Sequence, residues 1–124
     1  KHIPYENVPG VSSFCGAAAA LHAEYTLPGV SQTVILTRLE GRTPVPEKEK
    51  MASLAAHGAS MAVFLSAGMT ETLSRELMEG GYLPEPPAAI VYKASWPGEK
   101  VVRTTVEGLP EAAKKAGIHK TALI

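Results

Sequence analysis

The stretch "SMAVFLSAGMTETLSRELMEGGYLPEPPAAIVYKAS" (residues 60–95) constrains the fold most. It opens with "SMAVFLS" (60–66), apolar enough to be a central strand. "MTETLSRELMEG" (69–80) follows, with Leu73 and Leu77 on one helical face, Thr70 as the expected cap and Gly80-Gly81 as the stop. "PAAIVYKAS" (87–95) is then a second strand. A strand, a helix and a strand joined by short turns can bury their apolar faces together only as an α/β layer.

The rest of the chain extends that layer. "YENV" (5–8) is a short strand candidate, and "PG" (9–10) turns it into a helix over about 12–24. Ser12 or Ser13 is placed to cap this helix, which carries Phe14, Ala17, Ala18 and Leu21 on one face. "TLPGV" (26–30) breaks the chain before the strand "SQTVILT" (31–37). "RLEGRTPVPE" (38–47) is a loop, and "EKEKMASLAAH" (47–57) is a helix that Gly58 ends. "WPGE" (96–99) turns the strand at 87–95 into the hairpin partner "KVVRTTV" (100–106). "EGLPEAAKKAG" (107–117) is a helix with proline near its start, and "TALI" (121–124) is the last strand. The expected architecture is α/β, a mixed sheet flanked by helices.

Composition removes several classes of function. Twelve basic residues balance twelve acidic ones, with a pI near 7.1, which argues against a nucleic-acid surface or a polybasic membrane patch. No apolar run approaches the ~18 residues of a membrane span. The single cysteine, Cys15, has no partner for an internal disulfide, so a reducing cytoplasm is the default. Cys15 reads as a small buried residue rather than a nucleophile, since no His or Lys adjoins it. His2, His22, His57 and His119 lack metal-ligand spacing, no metal site is expected, and no nucleophile elbow or carboxylate pair is visible.

Three segments carry chemistry. "PGVSS" (9–13) presents backbone N–H groups and two hydroxyls at a strand-to-helix turn, where α/β sheets bind ligands; on pattern alone, simple helix capping is the favoured reading of the serines. "TRLEGRTPVPE" (37–47) holds Arg38 and Arg42 in a loop stiffened by Pro44 and Pro46. Guanidinium forks match carboxylates or phosphates, and pairing with Glu40 or Glu47 is the alternative. "YKASWPGEK" (92–100) sets the small Ala94 and Ser95 beside Trp96, which would admit a flat ligand, though pattern alone favours a hairpin with an aromatic plug.

In order and spacing, "VPGVSS", "LPGVSQTVILTRLEGRTPVPE", "AVFLS", "VYKASWPGEK" and "TALI" resemble the tetrapyrrole methylase family. The "TRLEGRTPVPE" segment is similar to that of members acting on precorrin-4. The resemblance implies two α/β domains with S-adenosylmethionine (SAM) in the cleft between them. It implies methyl transfer to C-11 of precorrin-4 or cobalt-precorrin-4, usually by a homodimer. It makes residues 1–29 the last strand and helix of a mostly missing first domain, and residues 30–124 the second, C-terminal domain. The family's "GxGPGD" loop has no counterpart in these residues. Carried over residue by residue, the cofactor positions are Ser12, Ser13, Leu65, Ala94, Thr121, Ala122 and Leu123. Arg38 and Arg42 are substrate positions facing the macrocycle's carboxylates, and no catalytic base is assigned. On this reading, residues 1–29 lie against a neighbouring molecule or away from the 30–124 core. Two other readings stay open: a non-catalytic tetrapyrrole- or partner-binding module, and a sister methylase acting at another ring carbon.

Overall fold

A computed structural model describes residues 2–124. Helix α1 (Ser13–Leu21) comes first, then strand β1 (Val34–Arg38), a 3-10 turn (Glu47–Glu49), α2 (Met51–Ala55) and β2 (Ser60–Phe64). They are followed by α3 (Thr70–Glu79), β3 (Pro87–Tyr92), β4 (Lys100–Thr105), α4 (Leu109–Ala116) and β5 (Ala122–Leu123).

β1 and β2 are parallel, with Val34 opposite Ser60 and Arg38 opposite Phe64. β3 lies between β4 and β5 and is antiparallel to both. The two groups join where Val63 and Ile124 exchange both backbone hydrogen bonds, at 2.7 and 3.2 Å. The layer therefore runs β1-β2-β5-β3-β4. β2 and β3 point the same way, and β5 runs back between them.

Successive residues of a strand face opposite sides, and this sheet uses both. Val63 and Ile90 face a core built with Met51, Leu73, Leu77 and Leu109, beneath α2, α3 and α4. Their neighbours Ala62 and Val91 face the other way, with Leu123, and meet Ala17 of α1. Burying a side chain such as Leu73 or Ile90 contributes roughly 1.5–3 kcal/mol each.

Apart from the first strand, the expected elements form, and four local expectations change. The strand candidate at 5–8 is not a strand, and Tyr5 and Val8 are exposed. Nothing in the sheet offers it a ladder, and an extended segment without a neighbour has no hydrogen bonds to make it a strand. Thr70 is the first helical residue of α3 and Met69 occupies the cap, with no side-chain bond. At α1, Ser12 caps through its carbonyl, which accepts from the N–H groups of Cys15 and Gly16; neither serine hydroxyl caps the helix. Cys15 is exposed rather than buried, because it sits on the face of α1 turned away from the sheet.

α1 is also closer to home than expected. It does not stand away from the 30–124 core but lies on the sheet, with Phe14, Ala20 and Leu21 half-buried around the buried Ala17. Arg103 of β4 donates to the carbonyl of Leu21 at 2.8 Å, and the Tyr25 hydroxyl donates to the carbonyl of Phe14 at 2.7 Å. Its small side chains permit that approach: a Cβ at Gly16 would already stand 3.6 Å from the Cβ of Ala94. Its outer face stays open to solvent.

Candidate functional site

Three strand ends meet at one edge of the sheet. β2 ends at Phe64 and β3 at Tyr92, and Thr121 leads into β5 beside them. Leu65, Lys93 and Thr121, the residues at these three ends, all have left-handed backbones, with φ of 53°, 49° and 56°. Such a backbone is uncommon for a residue with a side chain and unfavourable for a branched one. Clusters of it occur where the surrounding structure holds strain for a purpose. Here the N–H of Lys93 donates to the carbonyl of Thr121 at 2.9 Å, tying two of the three turns together.

The three turns border a cleft of about 400 Å³, within the range of small-molecule sites. Phe64, Val91, Ala94, Ala122 and Leu123 give it an apolar floor, and Ser13 at the start of α1 closes one side. Gly68 brings the β2–α3 turn close to the chain before β5: a Cβ there would stand 3.1 Å from the carbonyl oxygen of His119. Leu65 is 83% exposed and Trp96 62% exposed, so both stand on the rim. Lys93 and Lys120 are the cationic residues of the lining, which includes no carboxylate. The Lys93 ammonium lies 5.2 Å from the ring centre of Tyr92, within cation–π range.

Six of the seven residues expected around a cofactor line this one cleft: Ser13, Leu65, Ala94, Thr121, Ala122 and Leu123. Ser12 is exposed and lies outside the lining. Lys93, Trp96, His119 and Lys120 line it without having been named as site residues from the sequence. "YKASWPGEK" was the signal for the first two. A left-handed turn after Tyr92, rather than a longer strand, is what brings Lys93 and Trp96 round with Ala94.

The two arginines differ. Arg38 bends back onto its own loop: Nη1 donates to the carbonyls of Leu39 (3.0 Å) and Thr43 (3.3 Å), and Nη2 to Thr43 Oγ1 (2.8 Å). Three of the five donors of a guanidinium are thereby used. Arg42 is exposed, and no hydrogen bond or ion pair holds it among the described residues. Neither arginine is paired with Glu40 or Glu47; Glu47 pairs instead with Lys50 at 2.6 Å.

Among the described residues, no group of three or more His, Cys, Asp or Glu could hold a metal ion. No described helix is long and apolar enough to cross a membrane. The lining contains no nucleophile paired with a base. An apolar floor edged by turned backbone, with a few polar groups at the rim, is suited to binding and orienting a flat, largely apolar group.

The family model for Tetrapyrrole (Corrin/Porphyrin) Methylases matches residues 1–110. The chain is 57% identical over 122 residues to the cobalt-precorrin-4 C(11)-methyltransferase of Methanocaldococcus jannaschii, covering 98% of this chain and 47% of that protein. It is 44% identical to the precorrin-4 C(11)-methyltransferase of Mycobacterium tuberculosis, covering 98% of this chain and 49% of that one. Among solved structures, the cobalt precorrin-4 methyltransferase CbiF superposes with a TM-score of 0.92 at 52% identity, over 95% of this chain and 49% of that one. The chain thus spans about half the length of the relatives it matches. With a family model matched over most of its length and a shared fold at high identity, the chain belongs to the tetrapyrrole (corrin/porphyrin) methylase family.

Proposed function

We propose that this chain is the cofactor-cleft half of a SAM-dependent methyltransferase acting on C-11 of precorrin-4 or cobalt-precorrin-4 in corrin-ring biosynthesis. The observation that carries the reading is the meeting of Ser13, Leu65, Ala94, Thr121, Ala122 and Leu123 around one cleft at the strand ends. The relatives' names supply the reaction. On this reading residues 30–124 are the second domain, residues 1–29 end the first, and the working protein is a cytoplasmic homodimer.

The residues present suit the methyl donor. Its adenine ring is flat and has apolar faces, which suit the apolar floor made by Phe64, Val91, Ala94 and Leu123. Small side chains at Ala94 and Ala122 let a ligand reach the backbone, and the left-handed turns at Leu65, Lys93 and Thr121 change the chain's direction at the floor's edge. The donor supplies an electrophilic methyl carbon when bound. The chain's own work is to orient. The floor seats the donor, Leu65 and Trp96 border it at the rim, and Arg42, with the remaining donors of Arg38, engages the macrocycle's carboxylates. Holding two reactants in line can supply ~7–11 kcal/mol of a barrier. The electron-rich ring carbon is itself the nucleophile, so a cleft without a covalent nucleophile is adequate to the task.

The test is reconstitution at the relatives' full length with SAM and precorrin-4 or its cobalt form, the product read by mass spectrometry and NMR. Methylation at C-11 is expected. Methylation at another ring carbon moves the protein to a sister activity, and SAM or tetrapyrrole binding without turnover makes it a binding module.

A further inference from the structure

β1 and β2 stop pairing at Arg38 and Phe64, and β2 then turns away through left-handed Leu65. The next N–H on the β1 side, that of Leu39, is buried and has lost its ladder partner. The hydroxyl of Ser66 takes it. Ser66 is 0% exposed, and its Oγ accepts from Leu39 N–H at 3.0 Å while donating to the carbonyl of Phe64 at 2.7 Å. One buried hydroxyl thus braces the turn at Leu65 and ties it to the root of the arginine loop. Phe64, Leu65 and Ala67, on either side of Ser66, all line the cleft. Beyond the root, Arg38 spans the loop from Leu39 to Thr43 and closes it into a ring. The tip, Glu40 to Arg42, lies in solvent, as does Thr43.

We infer that Ser66, Arg38 and Thr43 are positioning residues that hold the Arg42 loop at a fixed offset from the cleft wall, setting the distance between the bound macrocycle and the methyl donor. The inference rests on the functional reading above. A direct carboxylate contact by Arg38 is not needed for it: the guanidinium acts by shaping the loop that presents Arg42.

Thr43 offers the clean test, because it is exposed and packs in no core. Thr43→Val removes the Oγ1 acceptor and keeps the shape, whereas Thr43→Ser keeps the acceptor. In the protein at the relatives' full length, Thr43→Val should lower kcat/KM for the tetrapyrrole about three- to tenfold, with kcat itself reduced because the ring carbon and the methyl group are no longer held at their set distance; this is the size expected when one exposed hydrogen bond of ordinary strength is lost. SAM affinity by calorimetry and Tm should stay unchanged, and Thr43→Ser should restore the kinetics. Ser66→Ala should raise KM for the tetrapyrrole and weaken SAM together, since it frees both the loop root and the Leu65 turn. Should that variant fail to fold, the Thr43 pair still decides. Thr43→Val indistinguishable from the unsubstituted protein, or Thr43→Ser as impaired as Thr43→Val, overturns the inference while leaving the methyltransferase reading intact. An unsubstituted protein that neither binds SAM nor turns over overturns both.

Discussion

Leu65 shows the cost of the site at a single position. It is a branched residue in a left-handed backbone, with most of its side chain in solvent. Residues held in this region cost on the order of 1–3 kcal/mol, and little burial offsets that here. Glycine takes the same backbone freely but has more freedom to lose on folding. The two effects oppose each other, so Leu65→Gly should change the unfolding free energy by no more than about 1 kcal/mol. A buried leucine cut to alanine typically loses 2–5 kcal/mol. Cofactor affinity should nonetheless fall, because Leu65 supplies a rim of the cleft. Urea denaturation alongside SAM titration separates the two effects; a loss of several kcal/mol would place Leu65 in the core instead. The sequence marked Leu65 through its family position, but its exposure was not legible there. "AVFLS" reads as an unbroken apolar run, and only a backbone turn after Phe64 puts Leu65 outside it.

Single elements were legible wherever they carried their own signal. The apolar run at β2, the leucine spacing of α3 and the Trp-Pro-Gly turn before β4 are local, and each lies within a few residues of its expected bounds. Residues 5–8 were misread as a strand, because a strand is a property of two segments and none of the described strands pairs with them. The side of the sheet that α1 covers was hidden for a similar reason: its small residues say that something comes close, not what. Close approach also governs α2 against α3. Gly80 has an ordinary helical backbone, so alanine would suit its φ, and reduced freedom of the unfolded chain would stabilise by about 0.4–1 kcal/mol. A Cβ at Gly80, however, would drive into the carbonyl of Ala52 and the side chain of Ala55. Overpacking of this kind costs about 1–3 kcal/mol, so Gly80→Ala should be net destabilising by about 1–2 kcal/mol. Chemical denaturation checks the sign, and a stabilised variant would mean that α2 and α3 can move apart freely. Tyr25 provides a second probe, of the α1 contact. Burial, and then the neighbouring Cys15, raise its pKa above the usual phenol value of 10.0. A group whose folded pKa is raised stabilises fully below its unfolded pKa and loses that contribution as pH rises through the folded one. The Tyr25 contribution should therefore be constant at neutral pH and fade above about pH 10, as the hydroxyl loses the proton it donates to Phe14. Tyr25→Phe should flatten that alkaline limb in a series of melts; an identical limb in both proteins would show that Tyr25 does not anchor α1.

At the scale of the whole molecule, the sheet order decides what the cleft can be. Because β5 runs back between β2 and β3, the last residues of the chain lie beside strand ends from its middle. Thr121 can thus share a site with Leu65 and Lys93, and no local pattern announces that closure. The family resemblance did announce it, which is why the apolar floor was anticipated and the cationic rim was not: Lys93 and Lys120 carry no motif of their own. The same geometry sets the affinity to expect. Small-molecule sites bury about 70–90% of a drug-sized ligand. Here the floor is formed by Val91, Ala94 and Leu123, while the exposed Leu65 and Trp96 stand at the mouth with nothing across from them among the described residues. A ligand seated on this floor keeps one face in water and forgoes the contacts of an opposing wall. Residues 1–124 alone should therefore bind SAM weakly, with Kd on the order of 0.1 mM or above, some −5.5 kcal/mol or less favourable. The protein at the length of its relatives should bind at least about tenfold more tightly, each tenfold step requiring 1.4 kcal/mol from the added wall. Titration calorimetry on both proteins in one buffer makes the comparison. Tight, stoichiometric binding to residues 1–124 would mean that this sheet edge is a complete cofactor site by itself, and the proposal that the donor sits between two domains would fall.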